Sequence, residues 1–225
     1  MRSTPGRGGG PGSRRVPGPA RPPLRRPTRE AVWAAVVEFV KTLAGAAILA
    51  FLIMTFVARA FTVDGPSMLP SLHNGERLMV DKLTYRFREP QRGEIVVFRY
   101  PEDPREHFIK RIIGVPGDWI ETGGGRVYVN GRALDEPYLD APTLGRFGPV
   151  QVPPGHYFVM GDNRNNSEDS RDPRVGFVPR NLIEGRALWR FWPLTQMGVL
   201  RRPATFAALP PPPQPGAAQA APALP

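Results

Sequence analysis

Six serines and three lysines occur in the 225 residues, and one of each stands in a setting suited to chemistry. Ser67 lies in Gly65-Pro66-Ser67-Met68-Leu69-Pro70, where prolines on both sides restrict the backbone. A nucleophilic hydroxyl held at attack distance gains from such stiffening, and Gly65 lets a substrate backbone come close. The chain has no cysteine, which excludes disulfides, thiol nucleophiles and thiolate metal sites. Any nucleophile is therefore an oxygen, and a serine hydroxyl needs a neighbouring base.

Lys41 sits in the apolar N-terminal region, and Lys82 follows Asp81, which would hold its ammonium protonated. Lys110 differs. In Phe108-Ile109-Lys110-Arg111-Ile112, strand alternation puts it on one face with Phe108 and Ile112 and sends Arg111 to the other. Burial disfavours the ammonium and leaves an amine able to take a proton near neutral pH. The chain otherwise uses arginine for positive charge, and arginine cannot be deprotonated. A Ser-Lys dyad is thus one reading of these residues. The rival is a Ser-His-Asp triad with His73, His107 or His156 as base, although His73 falls in a turn and the other two open candidate strands.

A third cluster runs Gly161-Asp162-Asn163-Arg164-Asn165-Asn166-Ser167-Glu168-Asp169-Ser170-Arg171-Asp172. It is too polar for a strand, its carboxylates and arginines can pair with one another, and a hydroxyl in it can hold the amine of a buried lysine. Its spacing lacks the calcium-binding EF-hand pattern.

These residues need a scaffold, and the ends of the chain do not supply it. Residues 1–30 hold eight arginines and one glutamate among Pro, Gly and Ser, which accounts for most of the net charge of +10. Such a segment is expected to be a disordered basic tail facing anionic phospholipid. Residues 203–225 are Pro/Ala-rich and are likewise expected to stay unpacked. Residues 42–58 carry no charge, and with the residues before them predict one transmembrane helix over 31–60. The arginines ahead of it place the N-terminus in the cytoplasm. A cleaved signal peptide ending at Ala58-Arg59-Ala60 is the competing reading, but about forty residues precede the apolar run, where a secretory leader has a short basic segment.

Residues 61–202 show short β-branched and aromatic runs broken by Gly, Pro, Asn and Asp, and no sustained helical period. Strands are expected at 77–83, 94–100, His107–Gly114, Arg126–Val129 and His156–Met160, with Asn130-Gly131 as a hairpin turn. The fold class is mostly β, an antiparallel domain on one N-terminal membrane helix, because parallel pairing would need crossover helices.

Together the three segments resemble bacterial type I signal peptidases, membrane-bound serine proteases of the Ser-Lys type. Gly65 to Leu72 looks like the nucleophile box of that family, Lys110 to Asp118 like its base box, and the 161–171 loop like its third signature. Val80-Asp81-Lys82 and Arg92-Gly93-Glu94-Ile95-Val96-Val97-Phe98 also fit. The resemblance covers residues 61–200. It implies that Ser67 attacks the scissile carbonyl, that Lys110 is general base, that Ser167 hydrogen-bonds Lys110, and that Asp169 and Arg171 form a supporting ion pair. It further implies that Phe61, Val63, Met68, Leu72 and Ile109 line shallow pockets for small residues, with the substrate added as a strand. The Ser67 amide would serve the oxyanion. Gly65 stands where some members carry a second, serine donor, and Val175 precedes Gly176 where an aromatic residue is common.

The implied partners are exported preproteins and a phospholipid membrane, with no metal and no cofactor. A peptidase with one dedicated substrate is the alternative within the class, and a non-catalytic membrane-tethered binding module is the alternative outside it. Residues 61–202 show no basic aromatic stripe, which argues against nucleic acid.

Overall fold

The β-branched and aromatic runs between residues 58 and 199 form twelve short strands in the computed structural model, which describes residues 28–56 and 58–213. In chain order they are β1 (Ala58–Thr62), β2 (Arg77–Asp81), β3 (Ile95–Arg99), β4 (His107–Gly114), β5 (Trp119–Gly123), β6 (Arg126–Val129), β7 (Arg132–Ala133), β8 (Phe147–Gln151), β9 (His156–Met160), β10 (Val178–Pro179), β11 (Ile183–Trp192) and β12 (Gly198–Val199). Ahead of them runs helix α1 (Arg29–Phe56), and a single helical turn, α2 (Thr84–Phe87), follows β2.

Every pairing is antiparallel. One sheet has the order β1-β2-β11-β3-β4-β9-β10, with β12 on β11, and a smaller one has the order β7-β6-β5-β8. Alternation along β3 and β4 sends side chains to two cores. Val96, Phe98 and Ile112 pack with Tyr157 and Val159, whereas Ile95 and Val97 pack with Val63, Met68, Leu72 and Leu78. A third core joins Ile113, Phe158 and Met160 to Ile120 and Val127 of the smaller sheet. The Asn130-Gly131 hairpin is as expected, both residues having positive φ (53° and 76°), the geometry that the twist of a two-residue turn requires.

Helix α1 contains the window Val32–Ala50, with mean hydropathy 1.7 and none of it buried within the protein. At 1.5 Å per residue its 19 residues reach about 28 Å, close to the thickness of a hydrocarbon core. Glu38 and Lys41 pair at 2.9 Å on one face. The chain divides after Ala47 into two compact units, the second holding all the strands.

Three expectations shift. The apolar helix ends at Phe56, and Ala58, Arg59 and Ala60, placed in it by composition, instead pair with Asp81, Val80 and Met79 in the first ladder. Strands also form at β5, β8 and β11 and, as two-residue pieces, at β7, β10 and β12, where the sequence predicts none; β11 is the longest of the described strands, but register shifts at Ala187–Trp189 and Arg190–Trp192 and its charged residues hide its alternation. The Pro/Ala-rich C-terminal segment is packed as far as Pro213. Phe206 is 1% exposed in the third core, its ring against the backbone of Gly93, where a Cβ would come within 2.6 Å. Arg92 donates to Pro210 O at 2.7 Å, and Arg132 to Ala208 O at 2.7 Å. The expected tail residues 1–27 and 214–225 lie outside the described residues.

Because Phe206 fills a core site, Phe206→Ala is expected to cost about 3–5 kcal/mol of unfolding free energy in urea titrations, whereas a loose tail would give no change.

Candidate active site

Two segments far apart in sequence meet at one hydroxyl. The 65–72 segment follows β1, its Met68 and Leu72 sunk in the core that holds Val63 and Val97. This leaves Ser67 partly exposed. Lys110 arrives from the middle of β4, paired with Val96 of β3, on the face carrying Phe108 and Ile112 as alternation predicts. Its Nζ lies 2.7 Å from Ser67 Oγ, donating in the ammonium form, and 5.2 Å from the centre of the Phe108 ring.

Lys110 is 4% exposed. Burial pulls its ammonium down to about 8, while the nearby carboxylates of Asp169, Glu168 and Asp162 pull the other way. Desolvation wins because those carboxylates are committed elsewhere. Asp169, fully buried, accepts from Arg171 at 2.8 and 2.9 Å and from the Gly161 N–H at 3.0 Å. Asp162 accepts a bidentate pair from Arg111 at 2.6 and 2.8 Å. Glu168 accepts from the Tyr100 hydroxyl at 3.1 Å. Bidentate arginine contacts of this kind are charge-assisted and directional, so the acids hold the loop in shape.

The 161–171 loop also grips the Ser67 turn. Asn163 N–H donates to Ser67 O at 3.0 Å, and its Nδ2 donates to Pro66 O at 3.2 Å. The approach is so close at Gly161 that a Cβ there would overlap both Ser67 O and Ser167 Oγ. Glycine is needed here for room, and its φ is not in the left-handed region.

A cleft of about 410 Å³ opens beside the pair, lined by Val63, Asp64, Met68, Phe108, Ile109 and their neighbours with Ser67 and Lys110. A larger cavity, about 630 Å³ at Arg92, Tyr157 and Arg180, holds neither of these residues. Along the cleft, β4 pairs with β3 from His107 to Arg111, but its ladder to β9 begins only at Arg111. The outer edge of residues 107–110 is therefore unpaired among the described residues.

Of the residues expected at the site, Ser67 and Lys110 come together, Asp169 and Arg171 form their ion pair, and Val63, Met68 and Ile109 line the cleft. Two expected pocket residues do not. Leu72 is wholly buried in the core beneath, and Phe61 packs against that core and the His107 ring, 5.3 Å between centres. Ser167 departs from its expected contact as well, its Oγ being buried without a hydrogen-bond partner, because Lys110 Nζ is turned to Ser67. No histidine reaches Ser67: His73 lies 3.5 Å from Glu76, His107 3.2 Å from Glu184, and His156 bonds the Pro154 carbonyl. Val175, in the place of an aromatic residue, is buried in the first core. Asp64, Phe108 and Asn163 are contributors that the residue types alone did not mark, although alternation already put Phe108 beside Lys110.

A hydroxyl against a desolvated amine, at the mouth of a shallow cleft with a free strand edge, is an arrangement suited to hydrolysing an extended peptide. Residues 36–192 match the family model described as signal peptidase, peptidase S26. The chain is 50% identical over 170 residues to a probable signal peptidase I-2 of Synechocystis, covering 73% of this chain and 77% of that one. It is 42% identical over 195 residues to a signal peptidase I of Leptolyngbya laminosa (84% and 94% covered) and 40% identical over 173 residues to signal peptidase I S of Bacillus subtilis (72% and 92%). The protein is a serine peptidase, a hydrolase. It belongs to the signal peptidase family S26.

If burial governs Lys110, its NMR titration will show a midpoint near 8, and Glu168→Gln, which removes one opposing carboxylate, will move the midpoint lower. Between about 8 and the ordinary 10.5 the folded chain then binds fewer protons than the unfolded one. The sign follows: this lysine's full cost is present below about 8, and stability rises with pH through that window. A midpoint near 10.5 would contradict the desolvation.

Proposed function

We propose that this enzyme removes N-terminal signal peptides from exported preproteins, cutting after small residues in an Ala-x-Ala pattern, with Ser67 as nucleophile and Lys110 as general base. The observation that carries the reading is the 2.7 Å contact between Ser67 Oγ and a lysine whose proton burial has loosened to about 8. With the amine neutral, its lone pair accepts the hydroxyl proton as Oγ bonds to the scissile carbonyl carbon and the carbonyl electron pair moves to oxygen. The Ser67 N–H faces that oxyanion. Collapse breaks the C–N bond, and the Lys110 ammonium gives its proton to the leaving nitrogen, leaving an acyl ester on Ser67. Water then attacks the ester and passes a proton to Lys110. The second collapse releases the signal-peptide carboxyl group and returns the proton to Ser67 Oγ.

The cleft supports an extended, small-residue substrate. Val63, Met68 and Ile109 give apolar walls close together, and the free edge at residues 107–110 can pair with a substrate backbone as an added strand. Asp169 and Arg171 act at one remove, keeping the loop against Ser67. Ser167 contributes a hydroxyl beside the Ser67 carbonyl that is available to the amine when it turns from Ser67.

In the membrane, the reading places α1 across the cytoplasmic bilayer as a single span, with the basic N-terminus inside and the catalytic domain on the outer face. Protease added to sealed right-side-out vesicles is then expected to degrade the catalytic domain, and protection of that domain would reverse the orientation.

Incubated with a preprotein, the purified full-length enzyme should release one mature N-terminus after Ala-x-Ala. Replacing either alanine by a bulky residue is expected to lower the rate by at least about 100-fold, and Ser67→Ala by roughly 1000-fold or more. Unchanged cleavage by Ser67→Ala would remove the nucleophile from the scheme. Cleavage of several unrelated preproteins would separate this reading from a peptidase dedicated to one.

A further inference from the structure

Pro66 and Ser67 share one peptide group, and its orientation decides where the Ser67 N–H points. That bond is trans, so its carbonyl and its N–H lie in one plane and face opposite ways. Whatever fixes the Pro66 carbonyl therefore aims the Ser67 amide. Asn163 Nδ2 donates to Pro66 O at 3.2 Å, and the Leu69 N–H donates to the same oxygen at 3.1 Å. Asn163 also reaches the next peptide, its own N–H donating to Ser67 O at 3.0 Å. A single residue thus holds the carbonyls on both sides of the nucleophile.

The amide being aimed is free. No acceptor among the described residues engages the Ser67 N–H. Residue 65 adds no second donor to it. Residue 65 is glycine and carries no hydroxyl, and its N–H is already given to Asn74 Oδ1 at 3.0 Å. Stabilisation of a tetrahedral oxyanion then depends on the direction of this N–H, and residue 65 cannot soften an error in that direction.

We infer that Asn163 is a positioning residue for the oxyanion site, holding the Pro66 carbonyl so that the Ser67 N–H on the opposite edge of the peptide points at the developing negative charge. The inference rests on Ser67 being the nucleophile. Asn163 touches no reacting atom and acts through the peptide plane. Its own placement is fixed from behind, because its neighbour Asp162 is clamped by the buried Arg111, and its carbonyl accepts the Asn166 N–H at 3.0 Å. Removing its side chain leaves the Leu69 N–H as the sole donor to Pro66 O, and the plane is free to tilt.

The test compares Asn163→Ala and Asn163→Leu, the second keeping the bulk without the donor, in the full-length enzyme. Cleavage of an Ala-x-Ala preprotein should show kcat reduced by roughly 10- to 100-fold with KM within about twofold. The affinity of a substrate-like peptide aldehyde, which forms a tetrahedral adduct on Ser67, should fall by a similar factor, while a non-hydrolysable peptide of the same sequence binds as before. The pH midpoint should stay that of the wild type, since Lys110 is untouched, and thermal unfolding should be unaltered in the leucine variant. Wild-type kcat and aldehyde affinity in both variants would overturn the inference, as would a loss confined to KM or matched by a fall in thermal midpoint. Ser67→Ala is run beside them. If it still cleaves, the nucleophile assignment fails; if it is dead while both Asn163 variants are normal, only the role of Asn163 fails.

Discussion

A lysine amine gives up its proton near neutral pH only where water is kept from it and no carboxylate claims it. Both conditions meet at Lys110. The strand that carries it is central in the larger sheet, paired with β3 along its first half, so the side chain emerges from packed backbone and not from a flexible loop. Phe108 on one side and the Ser67 turn on the other complete its cover. The carboxylates within reach are the more informative part, because an unengaged acid beside a buried ammonium would restore its ordinary proton affinity. Asp169, Asp162 and Glu168 are each held by another donor, and burial prevails.

The polar loop is therefore more than a scaffold for side chains. Arg111, on the opposite face of β4 from Lys110, lies with its guanidinium 4.4 Å above the Tyr138 ring and binds Asp162 through two hydrogen bonds. The strand that presents the amine thus also fixes the loop that closes over the serine. Breaking a buried pair of this kind leaves an uncompensated charge and costs several kcal/mol. The loop's resistance to movement is what lets one backbone amide and one hydroxyl keep a defined relation to the cleft.

How much of this could be seen in the sequence follows from the range of the interactions. Lys110 was legible because the signal is local: alternation in Phe108-Ile109-Lys110-Arg111-Ile112 fixes which neighbours share its face, and lysine is scarce in a chain rich in arginine. His107–Gly114, Arg126–Val129 and His156–Met160 were legible for the same reason. Strand β11 was not, since two register shifts break the two-residue period. The resemblance implies a place for Leu72 in the cleft, whereas its side chain belongs to the core, a distinction that depends on three-dimensional packing and not on the motif. The C-terminal segment misled by composition: Pro and Ala suggest a loose tail, yet one phenylalanine seated over Gly93 and two arginine contacts to its carbonyls pin it. Asn163 gave no signal of its own, as its side-chain partner Pro66 lies 97 residues earlier in the chain.

The central claim is that an uncharged Lys110 activates Ser67, and the pH dependence of kcat/KM for preprotein cleavage tests it most directly. The expected profile rises once with a midpoint near 8, the value that burial gives this lysine, and Lys110→Arg is inactive at every pH because a guanidinium stays charged. A midpoint near 6.5, the ordinary range of histidine, or measurable activity in Lys110→Arg would contradict it.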